Sequence, residues 1–448
     1  MKGREPEKNK AVITKKYPNG FRIAYETSNS NIPITSIYIL CDVGPVYEYD
    51  KMRGASHFIE HMCFKGSGKI PQSKDIFHEY AKIGAQFNAY TTKRYTCYTV
   101  QCQDEYIHHS LDILSDMLMN SLFNASEFKK EEKVVIEENN NNENKPDVVM
   151  NNVIESMIYA GSSYELPIDC LDYHNKRSLQ YKDVVDFYKR YYDPSNMILS
   201  IVSNVSFHDI ERYTKPFIRI KPDIRKKYDP AFRVIQHCQS PQRDIQYRLI
   251  KKRGITNVHI NIAFRTCGRN NNDKYALMVL EKIMGDGLNG RLMMILREAT
   301  GLVYGASAST DFFEESGGFI FSTVTNSSNL LRVLPLLITI IHDMIKKGIT
   351  KVELATFKGN AKGNMLIESQ DIVYQTRYIG EEMIFSQSDN IKIIPYRNVF
   401  EKFIAPLTLL DIRRVIQRYF TKENMCVSIL SEDLPSLETL KRECDKII

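Results

Sequence analysis

Hydrophobic and polar positions divide the chain into two recurring textures. Short runs rich in β-branched and aromatic residues read as strands: Ile34 to Val43, ending at Gly44-Pro45, and Tyr95 to Cys102. Lys16 to Tyr25 reads as a strand entered through a Pro-Asn-Gly turn, and the apolar run Met197 to Val202 as a buried strand. Between them the apolar period lengthens to three and four, the mark of amphipathic helices. From Asp104 to Leu122, Ile107, Leu111, Leu114, Leu118 and Leu122 recur on one face. Ser73 is a candidate cap for a helix through Tyr80, and Ser126 for one running to Glu138. The Asn-rich tract Asn139 to Asn144 is expected to end or loosen that second helix, and helical spacing resumes over Val148 to Tyr159 and Leu179 to Tyr192.

The same order returns later. Val258 to Thr266, before Cys267-Gly268, matches Ile34 to Val43 before Gly44, and a helix from Lys274 to Met284 follows. A helix after Thr350, with Val352, Leu354, Ala355 and Phe357, takes the place of Ser126 to Glu138. This is what an internal duplication leaves. Between the halves, Lys215 to Gln242 carries Pro216, Pro222, Pro230 and Pro241 amid charges and reads as a linker. The expected division is a first domain over 1–214, a linker over 215–242 and a second domain over 243–448.

One helix carries chemistry. From Ala55 to Phe64, His57 and His61 stand four residues apart and so share a face, with Glu60 on the same side. Phe58, Ile59, Met62 and Cys63 fall opposite, at the spacing of a buried stripe, so the histidines look out of the core. Two imidazoles one turn apart can grip a metal ion, and a third, carboxylate ligand would complete a catalytic zinc site. Glu60 is placed to take a proton from water attacking a carbonyl carbon. With 10 His and 54 acidic residues, the pattern arises by chance about 0.03 times in such a chain, so accident is disfavoured. Glu131 and Glu138 are two helical turns apart and share a face. Dense carboxylates are ordinarily a solvated surface.

Composition narrows the alternatives. At 448 residues the chain exceeds one ordinary core, and 43% hydrophobic with 25% charged residues is a globular composition. The net charge of +6 is mild and scattered, and the densest basic segment, Lys215 to Lys227, reads as solvated linker, which argues against nucleic-acid binding. The longest apolar run, Val333 to Ile341, is interrupted by Pro335 and Thr339, so no membrane crossing is expected. Met1 to Lys10 mixes both charges and lacks the features of a signal or transit peptide. Nine cysteines at irregular spacing suit reduced thiols. The expectation is an intracellular, cytoplasmic protein, with a mitochondrial-type compartment left open.

These residues resemble the M16 zinc peptidases, whose reversed motif His-x-x-Glu-His is matched at His57, Glu60 and His61, and in size the half-length M16B branch that includes mitochondrial processing peptidase. The resemblance implies an α+β fold of two homologous domains, each a mostly antiparallel sheet packed with helices. It implies one zinc ion per chain, with Glu138, seventy-seven residues after His61, as third ligand, Glu137 as runner-up and Glu131 orienting a ligand. Asn88 and Ala89 match the family's edge strand that pairs with an extended peptide. Arg297 and Tyr304 match its Arg–Tyr motif, which binds substrate backbone and stabilises the oxyanion. Because this chain carries both motifs, the resemblance implies a homodimer closing around a chamber, or a heterodimer with a related subunit, acting as an endopeptidase on peptides or unfolded segments. The alternatives are a non-catalytic or structural subunit of an M16-type complex and a peptidase that removes targeting peptides.

Overall fold

A computed structural model describes residues 11–168, 179–220, 236, 240–386 and 391–447. They fall into two compact units, neither contiguous in sequence: Met1–Asn140, Leu166–Ile235 and Asn364–Val399 in the first, Asn141–Glu165, Gln236–Gly363 and Phe400–Ile448 in the second.

The first unit holds a six-stranded sheet of β1 (Ile13–Lys16), β2 (Arg22–Thr27), β3 (Ile34–Cys41), β4 (Gln86–Thr91), β5 (Thr96–Gln103) and β6 (Met197–Ser203), in the order β1-β2-β6-β3-β5-β4. Only β2 and β6 run parallel. Every residue of β6 is buried, as its uninterrupted apolar run requires of a central strand. Ile39 pairs with Leu199 and Ile37 with Ile201 in the register with β3. One face of the sheet packs on the helices Ala55–Cys63, Ile107–Met119 and Tyr181–Tyr191 to form the core. Against the other face lies the helix Ile372–Ile384, where Ser200 Oγ donates to the Thr376 carbonyl at 2.5 Å.

The second unit has β7 (Gln246–Lys251), β8 (Asn257–Cys267), β9 (Val303–Phe312), β10 (Ser316–Asn326) and β11 (Met425–Ser431), in the order β7-β11-β8-β10-β9. Its single parallel pair is β7 with β11, and β11 is buried throughout. With β8 standing for β3 and β11 for β6, the order and sense repeat those of the first sheet, the topological counterpart of the sequence repeat. The helix Pro146–Ile158 packs on this sheet, its Met150 and Met157 carbonyls accepting from Asn261 Nδ2 at 3.3 Å and Arg265 Nη2 at 2.7 Å.

These two helices explain why the contiguous division into 1–214 and 243–448 does not describe the packing. The segments 141–165 and 364–399 each bury an apolar face in the unit built mainly from the other half of the chain. Lys215–Ile218 is also part of the first unit, where Phe217 stacks on Phe21 at 5.0 Å, so the chain is still structured where the linker was expected to begin. Most of the expected linker, and residues 169–178, lie outside the described residues.

Several boundaries also shift. Ser73 and Ser126 do not cap. Ser73 opens the helix Ser73–Lys82 with Gln72 at its N-cap, and the second helix begins at Ala125. That helix continues through the asparagines to Glu143, with Asn139 buried. Tertiary packing overrides the weak helix propensity of Asn. The helix Leu330–Lys347 runs through Pro335, and Ser327–Lys347 is long and apolar enough to cross a bilayer, contrary to the reading of its sequence. Its apolar stripe, including Val333, Leu337, Ile341 and Met344, is buried in the core of the second unit, as for the core helix of a globular unit.

Candidate metal centre

Apolar burial aims the motif helix. Phe58, Ile59, Met62 and Cys63 are fully buried beneath it, which leaves His57 and His61 half-buried on the far side. Their Nε2 atoms are 3.2 Å apart with the rings edge to face. The helix Ala125–Glu143 is anchored beside it by Phe128, whose ring meets Phe58 edge to face at 4.6 Å, and by buried Val135. That contact presents the face bearing Glu131 and Glu138. Glu138 Oε2 stands 3.6 Å from His61 Nε2 and 4.0 Å from His57 Nε2.

These distances admit a metal. Ligand atoms about 2.0–2.1 Å from a tetrahedral zinc lie about 3.4 Å from one another. The observed 3.2, 3.6 and 4.0 Å bracket that value. The donor set, two imidazoles and a carboxylate, is also that of a catalytic zinc site. His57, His61 and Glu138 form the one such group of three among the described residues. Glu137 is exposed and not part of it.

Glu131 fixes one imidazole. Its Oε1 lies 2.8 Å from His61 Nδ1, and its Oε2 receives the Lys65 ammonium at 2.6 Å. Burial would raise the Glu131 carboxyl, but the hydrogen bonds and charges of His61 and Lys65 outweigh it and hold the group below the usual glutamate value. An ionised Glu131 can only accept, so His61 donates to it through Nδ1, which leaves Nε2 as the ring nitrogen facing His57 and Glu138. Glu60 is only 8% exposed. Burial raises its pKa, opposed by the Thr91 hydroxyl, which donates to Glu60 Oε2 at 2.6 Å.

Thr91 ends β4, the edge strand, whose outer side pairs with no strand of its sheet among the described residues. Asn88 and Ala89 lie in its middle, and the Asn88 side chain accepts from the Ala89 N–H at 2.9 Å. An open cavity of about 500 Å³ borders the strand, lined by Gln86, Asn88, Tyr38, Thr99 and Gln101 among others. Arg297 and Tyr304 belong to the second unit. Arg297 lies in a π-helical turn, Met294–Glu298, a form frequent at functional positions. Tyr304 is in β9, and both are exposed.

The family model described as Insulinase (Peptidase family M16) matches residues 22–171, and that described as Peptidase M16 inactive domain matches 178–360. The chain belongs to the M16 peptidase family. Among its M16 relatives is an uncharacterized zinc protease, YmxG, of Bacillus subtilis, 26% identical over 92% of this chain and 96% of that one. An uncharacterized zinc protease of Rickettsia felis is 26% identical over 83% of this chain and 90% of its own. The fold is that of a protease crystal structure from Helicobacter pylori, with a TM-score of 0.83, 19% identity and coverage of 94% of this chain and all of the other. Sequence reasoning placed the two histidines and Glu60, Glu131 and Glu138 on helices that the fold brings together. It missed Thr91 and Lys65. Lys65 was findable, four residues beyond His61 on the helical period, whereas the Thr91 contact spans 31 residues and leaves no local pattern.

Proposed function

We propose that this M16 chain is a zinc-dependent endopeptidase holding one zinc ion through His57, His61 and Glu138. The observation that carries the reading is the convergence of two imidazole nitrogens and one carboxylate oxygen at tetrahedral spacing beside a buried, hydrogen-bonded Glu60. When bound, zinc acidifies water and polarises a carbonyl oxygen. Glu60 takes the proton of the attacking water and returns it to the leaving amine. A carboxyl raised by burial suits both steps better than an ordinary glutamate, because a proton it accepts is then held more readily near neutral pH. Glu131 orients His61 through Nδ1, and Lys65 keeps Glu131 charged. The free edge of β4 at Asn88 and Ala89 pairs with an extended peptide, so that affinity comes from main-chain bonds.

Arg297 and Tyr304 bind the substrate backbone and stabilise the developing oxyanion. They do so across a homodimer in which the second half of one chain completes the site of the other around a closed chamber. The exposure of both side chains leaves them available for that role. We place the protein inside a cell. All seven cysteines described are buried and free of disulfides, which suits a reducing compartment.

The test is a pair of variants. Glu60→Gln retains zinc and loses peptide cleavage, and His61→Ala loses both. A Glu60→Gln protein as active as the parent would defeat the mechanism.

A further inference from the structure

Glu48 precedes the motif helix, in the connection that follows β3, and is 1% exposed. A carboxylate in an interior needs donors. Its Oε2 accepts from the Gly54 N–H at 2.6 Å and its Oε1 from the Ser56 N–H at 2.7 Å. Both donors are at the start of the motif helix, where backbone N–H groups have no partner within the helix. Gly54, the N-cap, has φ of 83°, the left-handed region that favours glycine, and has no capping side chain of its own. One carboxylate fork therefore ties down the first turn, and that turn carries His57.

The segment that bears Glu48 is itself held against the end of the edge strand. Val46 N–H donates to the Lys93 carbonyl at 3.1 Å, and Thr96 Oγ1 to the Val43 carbonyl at 2.9 Å. Arg94 pairs with Asp42 and reaches the Tyr47 hydroxyl. Gly44 lies so close that an added Cβ would come within 2.6 Å of the Thr92 carbonyl oxygen and 2.7 Å of that of Lys93. The loop that begins at Thr92 follows directly on Thr91, the partner of Glu60. A single strap thus joins the strand bearing Thr91 to the helical turn bearing His57, and Glu48 is its far anchor.

We infer that Glu48 is a positioning residue for the metal centre, setting the first turn of the motif helix so that His57 meets His61 and Glu138. This rests on the zinc reading above. It differs from a cap that merely adds stability, because loss of the fork would loosen the grip on metal even where the fold survives.

Glu48→Gln is nearly isosteric but turns an NH2 toward one of the two N–H groups, so it removes one acceptor without opening a cavity. The measurements use the full chain and metal alone: release of zinc to an excess of chromophoric chelator, the visible spectrum of the cobalt-substituted protein, and the melting temperature of the metal-free form. Glu48→Gln should release zinc faster, by up to the roughly 10–100-fold that losing a group hydrogen-bonded to a metal ligand costs in metal affinity, with an altered cobalt spectrum. Asn19→Ala is the control for destabilisation alone. Asn19 is buried in the same unit and donates to the Phe217 carbonyl at 2.8 Å. That variant should melt lower yet release zinc at the parental rate.

Parental zinc release and an unchanged cobalt spectrum in Glu48→Gln would overturn the inference, however far its melting temperature falls. Should Glu48→Gln not fold, Gly54→Ala strains the same turn with the carboxylate in place. Faster release there supports the inference, and an unchanged rate overturns it. A parent that holds zinc but cleaves no peptide defeats the peptidase reading and leaves this one standing; a parent that holds no zinc defeats both.

Discussion

Thr91→Val removes one hydroxyl and almost no volume, and it isolates what the edge strand does for the catalytic carboxylate. The hydroxyl donates to Glu60 Oε2 at 2.6 Å, within the range of a short, charge-assisted hydrogen bond. Such bonds are worth about 1.5–3 kcal/mol to the ionised partner, and one pKa unit corresponds to about 1.4 kcal/mol. The bond favours the carboxylate, so its loss adds to the upward push of burial. The acid limb of kcat/KM for a quenched fluorescent peptide should therefore move up by about one to two pH units. Well below that limb the variant should be about 10–100-fold slower, with the deficit shrinking as pH rises and Glu60 ionises. Zinc content should stay at the parental level, and Thr91→Ser, which retains the donor, should restore the parental profile. A Thr91→Val profile superimposed on that of the parent would refute the account of Thr91 as the donor that favours the ionised form of Glu60.

Other outcomes follow from the same geometry. Glu131→Gln leaves Lys65 without its carboxylate and His61 Nδ1 with a weaker acceptor, so zinc affinity measured by chelator competition should fall about 10–100-fold. Glu138→Gln should lower zinc content, whereas Glu137→Gln should leave it unchanged; metal analysis of the two proteins separates the third ligand from its neighbour. Phe58→Ala empties a fully buried site against Phe128 and should cost about 3–5 kcal/mol in denaturant unfolding. Because that contact also seats the helix bearing Glu131 and Glu138, the same variant should release zinc faster. Equal denaturation midpoints for Phe58→Ala and its parent would show that the helix contact is not part of the core.

The motif helix was legible because both of its requirements are local. A period of 3.6 places His57 and His61 together, and the same period puts Phe58, Ile59, Met62 and Cys63 beneath. The shared face of Glu131 and Glu138 was legible on the same ground, whereas their roles came from resemblance to the M16 family. The repeat between halves survived as strand order, with Ile34 to Cys41 and Asn257 to Cys267 in matching places in their sheets. What could not be read was non-local. Nothing within Val148 to Tyr159 or Ile372 to Ile384 says which sheet each covers, because an apolar face fits either one. The helical asparagines after Glu138 are carried by packing at Asn139 that local propensity does not encode. No local pattern marks Glu48, because the two N–H groups it accepts from are brought to it only by the folded turn. Arg297 and Tyr304 stand on resemblance to the M16 family alone.

The most direct test of the central claim is metal analysis of the purified chain joined to a peptide-cleavage assay run with and without a chelator. The account predicts about one zinc per chain and cleavage that the chelator abolishes and added zinc restores. Carefully prepared protein with no zinc, or cleavage indifferent to the chelator, would contradict it.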